Sequence, residues 1–142
     1  MKTTLSLFFS TIFVFNSAVF AQNRQSVTLK WRTAAEEHPN ITIDRELLGF
    51  DLAEYNSNKG YMPIFIERID APIGLKPSIE LEIAKIRTVN NDDATKKYIE
   101  FIPLDFEYEI KTALEKGKEI YFFQLIPLRN NGSKIEAIEE FS

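Results

Sequence analysis

The chain has no cysteine and a single histidine, His38. The first absence rules out thiol nucleophiles, cysteine-ligated zinc and disulfide staples, so any stable fold must rest on core packing. The five glycines, Gly49, Gly60, Gly74, Gly117 and Gly132, stand singly in or near turn signals. No phosphate-cradling loop can be assembled from them. There is no basic run, which disfavours nucleic acid and anionic membrane surfaces as partners. Apolar runs longer than a strand are also missing, with one exception at the N-terminus.

That exception is informative. Met1-Lys2 is a short basic start, Leu5 to Phe15 is almost wholly apolar, and Val19-Phe20-Ala21 ends in a residue suited to cleavage before Gln22. This is the pattern of a secretory signal peptide, residues 1–21, too short to span a bilayer after processing. The mature part, residues 22–142, keeps 16 Lys and Arg against 21 Asp and Glu once Lys2 is removed, a net of −5. It is long enough for one domain and too short for two. Export without disulfides suggests the periplasm, outer membrane or cell surface of a Gram-negative bacterium. In that setting the sequons Asn40-Ile41-Thr42 and Asn131-Gly132-Ser133 read as chance. The chain stops at Ser142 without a polar tail, which predicts a C-terminal end cut from something longer.

What the mature part does have is a period of two. Val27, Leu29 and Trp31 alternate with Thr28, Lys30 and Arg32, which predicts a half-buried strand. Ile41 to Ile43 is a short strand candidate, and Leu47 to Tyr55 is a loop with a short strand. Asn56 to Gly60 is a turn cluster. Tyr61 to Ile69 reads as a strand, with Pro63 marking an edge or a strand beginning. Asp70 to Ser78 is a loop, Ile79 to Val89 a strand, Asn90 to Lys97 a polar loop, and Tyr98 to Ile102 a short strand closed by Pro103.

The last third is the most regular. Phe106, Tyr108, Ile110 and Thr112 face one way, Glu107, Glu109 and Lys111 the other. Glu115 to Lys118 is a turn. Ile120 to Leu128 is apolar enough for a central strand, with Phe106 to Leu114 on one side and Lys134 to Phe141 on the other. The last of these returns through a two-residue Asn131-Gly132 hairpin. The expected fold is an all-β, antiparallel β-sandwich of seven or eight strands, a jelly-roll or immunoglobulin-like variant.

Candidate chemistry is sparse. His38 follows Glu-rich sequence beside Pro39, and no Gly-x-Ser-x-Gly elbow presents a serine to it. Glu107 and Glu109 are about 7 Å apart on one strand face, within range of a carboxylate pair. Lys111 continues their row, so the row reads as a solvated outer face. Asn90-Asn91-Asp92-Asp93 offers oxygen ligands to Ca²⁺ but lacks the alternating spacing and glycine of an EF-hand loop. Most aromatic residues fall at core positions; Trp31 and Tyr61 are the ones to inspect for exposure. No catalytic, cofactor or metal residue is assigned.

Several stretches resemble a known family. Tyr61-Met62-Pro63-Ile64-Phe65-Ile66-Glu67-Arg68-Ile69 is similar to a proline-led, apolar-then-basic strand near the start of gingipain-like cysteine peptidases. Phe123 to Gly132, with its Pro127-Leu128-Arg129, and then Ile138-Glu139-Glu140-Phe141-Ser142 resemble the N-terminal region of the type IX secretion system sortase. Ser26 to Trp31 is compatible with its opening strand. The resemblance implies an exported protein and, in the full-length family, a downstream Cys/His peptidase domain that trims cargo and attaches it at the cell surface. Without a cysteine, that activity transfers to no residue here. What transfers is a non-catalytic, prodomain-like or docking role in protein export and cell-surface attachment. Its protein partner would be a peptidase domain or an outer-membrane secretion component. The alternative is a free-standing envelope β-sandwich that binds a glycan or a protein. Neither reading involves nucleic acid, a cofactor or a membrane span after cleavage.

Overall fold

The computed structural model describes residues 25–33, 48–72, 74–89 and 96–142. The expected leader, the Ile41 to Ile43 strand, His38 and Asn90 to Asp93 lie outside them. The described residues form ten strands: β1 Val27–Thr28, β2 Trp31–Thr33, β3 Leu48–Phe50, β4 Glu54–Asn56, β5 Met62–Ile69, β6 Ile83–Val89, β7 Glu107–Glu115, β8 Lys118–Ile126, β9 Leu128–Asn130 and β10 Ile135–Phe141. Every pairing is antiparallel. One sheet runs β1-β10-β6 with β9 also on β10; the other runs β4-β5-β8-β7; β2 and β3 form a small ribbon. The architecture is the expected all-β, sandwich-like one. No helix among the described residues is long and apolar enough to cross a membrane.

Side-chain alternation builds two buried clusters. Ile64, Met62, Ile126, Leu128, Ile135 and Ala137 join Val89, Tyr98 and Ile102 in the first. Phe65, Phe123, Leu125, Ile138 and Phe141 join Leu29, Phe50 and Ala53 in the second. Neighbouring residues of β5, and of β8 near its end, thus enter opposite clusters, so this part of the second sheet is covered on both faces. Phe65, Phe123 and Phe141 pack around one another at tilted and edge-to-face angles, with centroids 5.3–6.2 Å apart. Such aromatic pairs contribute about 1 kcal/mol each beyond the area they bury.

Several local readings need correction, among them the strand read from Ile79, which begins at Ile83 as β6. The apolar run Ile120 to Leu128 is not one strand. Pro127, with no N–H to give a ladder, separates β8 from β9. Its carbonyl oxygen accepts from the Ile138 N–H at 2.9 Å, and the chain passes from one sheet to the other there. Of the two expected neighbours of β8, the Phe106 to Leu114 side is there as β7, while β5 takes the other side. β10 pairs with β9, β6 and β1 instead.

Tyr98 to Ile102 is not a strand either. Ile99–Phe101 is a 3-10 turn, with the Phe101 N–H donating to the Tyr98 carbonyl at 2.9 Å. Its apolar residues fall at 98, 99, 101 and 102 around exposed Glu100, which is a turn-like spacing rather than alternation. Tyr98 and Ile102 plug the first cluster.

The expected opening strand splits into β1 and β2. Its inner face, Val27, Leu29 and Trp31, holds as read, while Thr28, Lys30 and Arg32 are exposed. A bulge explains the odd spacing of Ile138 and Phe141. The register of β10 on β6 shifts between Ile138 and Phe141, so two residues three apart reach the same cluster.

Candidate functional site

Lys111 to Glu119, the end of β7 and the tip of the β7–β8 hairpin, is the longest unbroken exposed stretch among the described residues. Its turn is Lys116-Gly117, at φ +51° and +77°. Two consecutive positive φ values give the tight turn whose twist suits a hairpin, and glycine takes the second without strain. From the closing pair Glu115↔Lys118 the register runs unbroken to Glu107↔Ile126. β5 covers only Tyr121 to Leu125 of β8, so the tip extends past its neighbour. Among the described residues no strand pairs with the outer edge of β7. Eight of its nine residues are exposed, Ile110 being the half-buried one.

Turn chemistry decides which backbone groups face that edge. In a two-residue hairpin the flanking residues form a hydrogen-bonded pair, so Glu115 turns its N–H and C=O toward β8. Every second residue back, to Glu107, does the same. The groups of Tyr108, Ile110, Thr112 and Leu114 are left pointing outward.

Across the start of β7 and its partner β8 lies an open groove of about 410 Å³, lined by Phe106, Glu107, Tyr108, Glu109, Gln124 and Ile126. The two carboxylates weighed from the sequence are brought here. Glu109 Oε1 accepts from Gln124 Nε2 at 3.3 Å and pairs with Lys111 Nζ at 3.3 Å. Glu107 and Glu109 stand on one row of one strand, both exposed, and Lys111 continues the row with an ion pair to Glu109. The surface therefore presents charge and an open ladder.

A second cluster holds the entry to β7, and the sequence reading missed it. Arg129 and Glu136 are register partners across β9 and β10. Arg129 Nε and Nη2 each lie 2.7 Å from Glu136 Oε2, and Lys134 Nζ lies 2.8 Å from Oε1. Arg129 Nη1 reaches Asp105 Oδ1 at 3.3 Å, and its guanidinium lies 4.6 Å over the Phe106 ring. The Lys134 ammonium and then the Arg129 guanidinium hold the Glu136 carboxyl below its usual range, while Glu136 raises Arg129. Every charge in the cluster is compensated, so it reads as a clamp. Together with the bond from the Asn130 N–H to the Pro103 carbonyl at 2.8 Å, it fixes residues 103–106 and hence where β7 begins. Turn length hid it. A two-residue loop at Asn131-Gly132 would place Lys134 opposite Arg129. The observed loop spans residues 131–134, organised by Asn131 Oδ1, which accepts from the N–H groups of Ser133 and Lys134.

Trp31 is half-buried and structural. Its indole N–H donates to the Ile138 carbonyl at 2.7 Å, and its ring meets Phe50 edge-on at 5.0 Å. Tyr61 is 48% exposed at φ +60° and follows left-handed Gly60. It belongs to the β4–β5 connection, away from the strand that carries Tyr108. The described residues hold no group of three or more His, Asp or Glu placed to bind a metal. No protein-family model, no curated protein and no solved structure matches this chain.

Proposed function

We propose that this chain is a non-catalytic docking module of the cell envelope, exported through its N-terminal leader, and that it offers the open edge of β7 to a protein. The observation that carries the reading is a nine-residue strand with one long edge unpaired among the described residues and almost no buried side chain. Such an edge binds extended segments through backbone hydrogen bonds. The resemblance to the N-terminal region of a type IX sortase supports the same role, since that region is β-rich and carries no catalytic group. The main stretches behind the resemblance coincide with β5, the β8–β9 passage with its turn and the end of β10, and they supply Met62, Ile64, Phe65, Leu128, Ile138 and Phe141 to the two clusters.

The test is to mix the purified protein with the isolated peptidase domain of a type IX sortase and look for a complex by size-exclusion chromatography and calorimetry. A one-to-one complex is expected. No association, with the protein folded, would remove the sortase reading. The glycan-binding alternative asks for a strip of exposed aromatic rings across one sheet. The two most exposed tyrosines, Tyr61 and Tyr108, lie instead on separate elements.

A further inference from the structure

The geometry points to a specific occupant for the β7 edge: β7 of a second copy of this chain, antiparallel and centred on Ile110. The inference rests on the open-edge reading above and goes beyond it by fixing partner and register. Directly opposed residues in an antiparallel pair share a face. Two copies of one strand related by a two-fold axis must therefore be centred on a residue that meets itself. The outer-face row Glu107, Glu109, Lys111, Ala113, Glu115 then decides among the registers.

Centring on Tyr108 sets Glu107 against Glu109 of the second copy, and centring on Glu109 sets that residue against itself. Centring on Lys111 opposes two ammonium groups, and centring on Thr112 opposes Glu109 and Glu115. Each of these costs like-charge repulsion. Centring on Ala113 pairs Lys111 with Glu115 favourably but joins only Lys111 to Glu115.

Centring on Ile110 joins Glu107 to Ala113. Glu109 and Lys111 of each copy then face Lys111 and Glu109 of the other, and Glu107 faces Ala113. The ladder agrees with this choice. Ile110 exchanges bonds with Ile110 of the second copy, and Tyr108 with Thr112, which are residues whose backbone groups point to the open edge. The charges that repel other registers favour this one, and the two second sheets would join into one continuous sheet.

Sedimentation velocity of the purified protein, from about 10 µM to about 500 µM, reads the dimer directly. A reversible dimer is expected. Lys111→Glu alone and Glu109→Lys alone should each weaken it by about tenfold or more, since two attractive pairs become two repulsive ones. An equimolar mixture of the two variants should restore it, because each Glu then meets a Lys. A protein monomeric throughout, a dimer indifferent to both substitutions, or a mixture no tighter than its components would overturn the proposal. Binding of the sortase peptidase domain by a protein that stays monomeric would leave the docking reading standing while this one fails.

Discussion

β7 and β10 are written in nearly the same alphabet. One reads Glu-Tyr-Glu-Ile-Lys-Thr-Ala-Leu-Glu, the other Ile-Glu-Ala-Ile-Glu-Glu-Phe. Both are charged strands of comparable length, yet β7 is exposed almost throughout and β10 has five buried residues, including Glu136. The difference lies in place. β10 has β6 on one edge and β9 and β1 end to end on the other, with both clusters packed against it. β7 has β8 alone. A central position lets even a glutamate be buried, provided that Arg129 and Lys134 meet it; an edge position leaves even Leu114 77% exposed. Burial here is a property of neighbours before it is one of residue type.

Substitutions can break this contrast, beginning with the largest effect. Leu128 is completely buried in the passage from β8 to β10. Leu128→Ala should cost about 3 kcal/mol of unfolding free energy through lost transfer energy and a cavity. Urea denaturation measures it, and a loss under about 1 kcal/mol would mean that the first cluster collapses readily around the gap.

Gly60 tests the same covered region from its rim. It is left-handed, at φ +62°, and an added Cβ would collide with the Lys97 carbonyl oxygen. Gly60→Ala should cost about 2–3 kcal/mol from backbone strain and forced displacement. Gly117 is also left-handed, but open space surrounds it, so Gly117→Ala in the exposed hairpin should cost only about 1 kcal/mol. Equal losses would show that the hairpin tip is as constrained as the rim of the core.

Glu136 sharpens the contrast through pH. Its folded-state carboxyl lies below the ordinary value of 4.5 because Lys134 and Arg129 stabilise the charged form. A depressed carboxyl contributes stability above its unfolded pKa and loses it as pH falls through the folded one. Glu136→Gln should therefore lower the melting temperature at about pH 7, and the gap to the parent should shrink by about pH 3. A gap that stays constant or widens on acidification would assign the effect to shape rather than charge. Smallest of all, Leu114→Ala at the exposed edge should shift monomer stability by no more than about 0.5 kcal/mol. A larger loss in thermal denaturation would mean that something covers this edge.

Local chemistry was legible from residue order. Alternation at Val27 to Arg32 and Phe106 to Thr112 assigned both strand and face, because side-chain direction in an extended backbone follows from φ and ψ alone, and Tyr61 to Ile69 was legible as a strand without a face. The turns at Asn56 to Gly60 and Glu115 to Lys118 were readable for the same reason. The exposed row Glu107, Glu109, Lys111 was visible as a row. Tertiary structure decided the rest. Pro127 turns one apolar run into two strands of different sheets because a ladder cannot continue through it and a second strand, β10, is there to receive its carbonyl. β5 rather than β10 flanks β8, a choice between two distant strands that only three-dimensional packing can make. Arg129 meets Glu136 because the loop between them has four residues, a length set by how Asn131 folds its own turn. Alternation is fixed within a few residues by sterics; partners, depth and charge pairing depend on segments far apart in the chain, so they emerge only when the two clusters close.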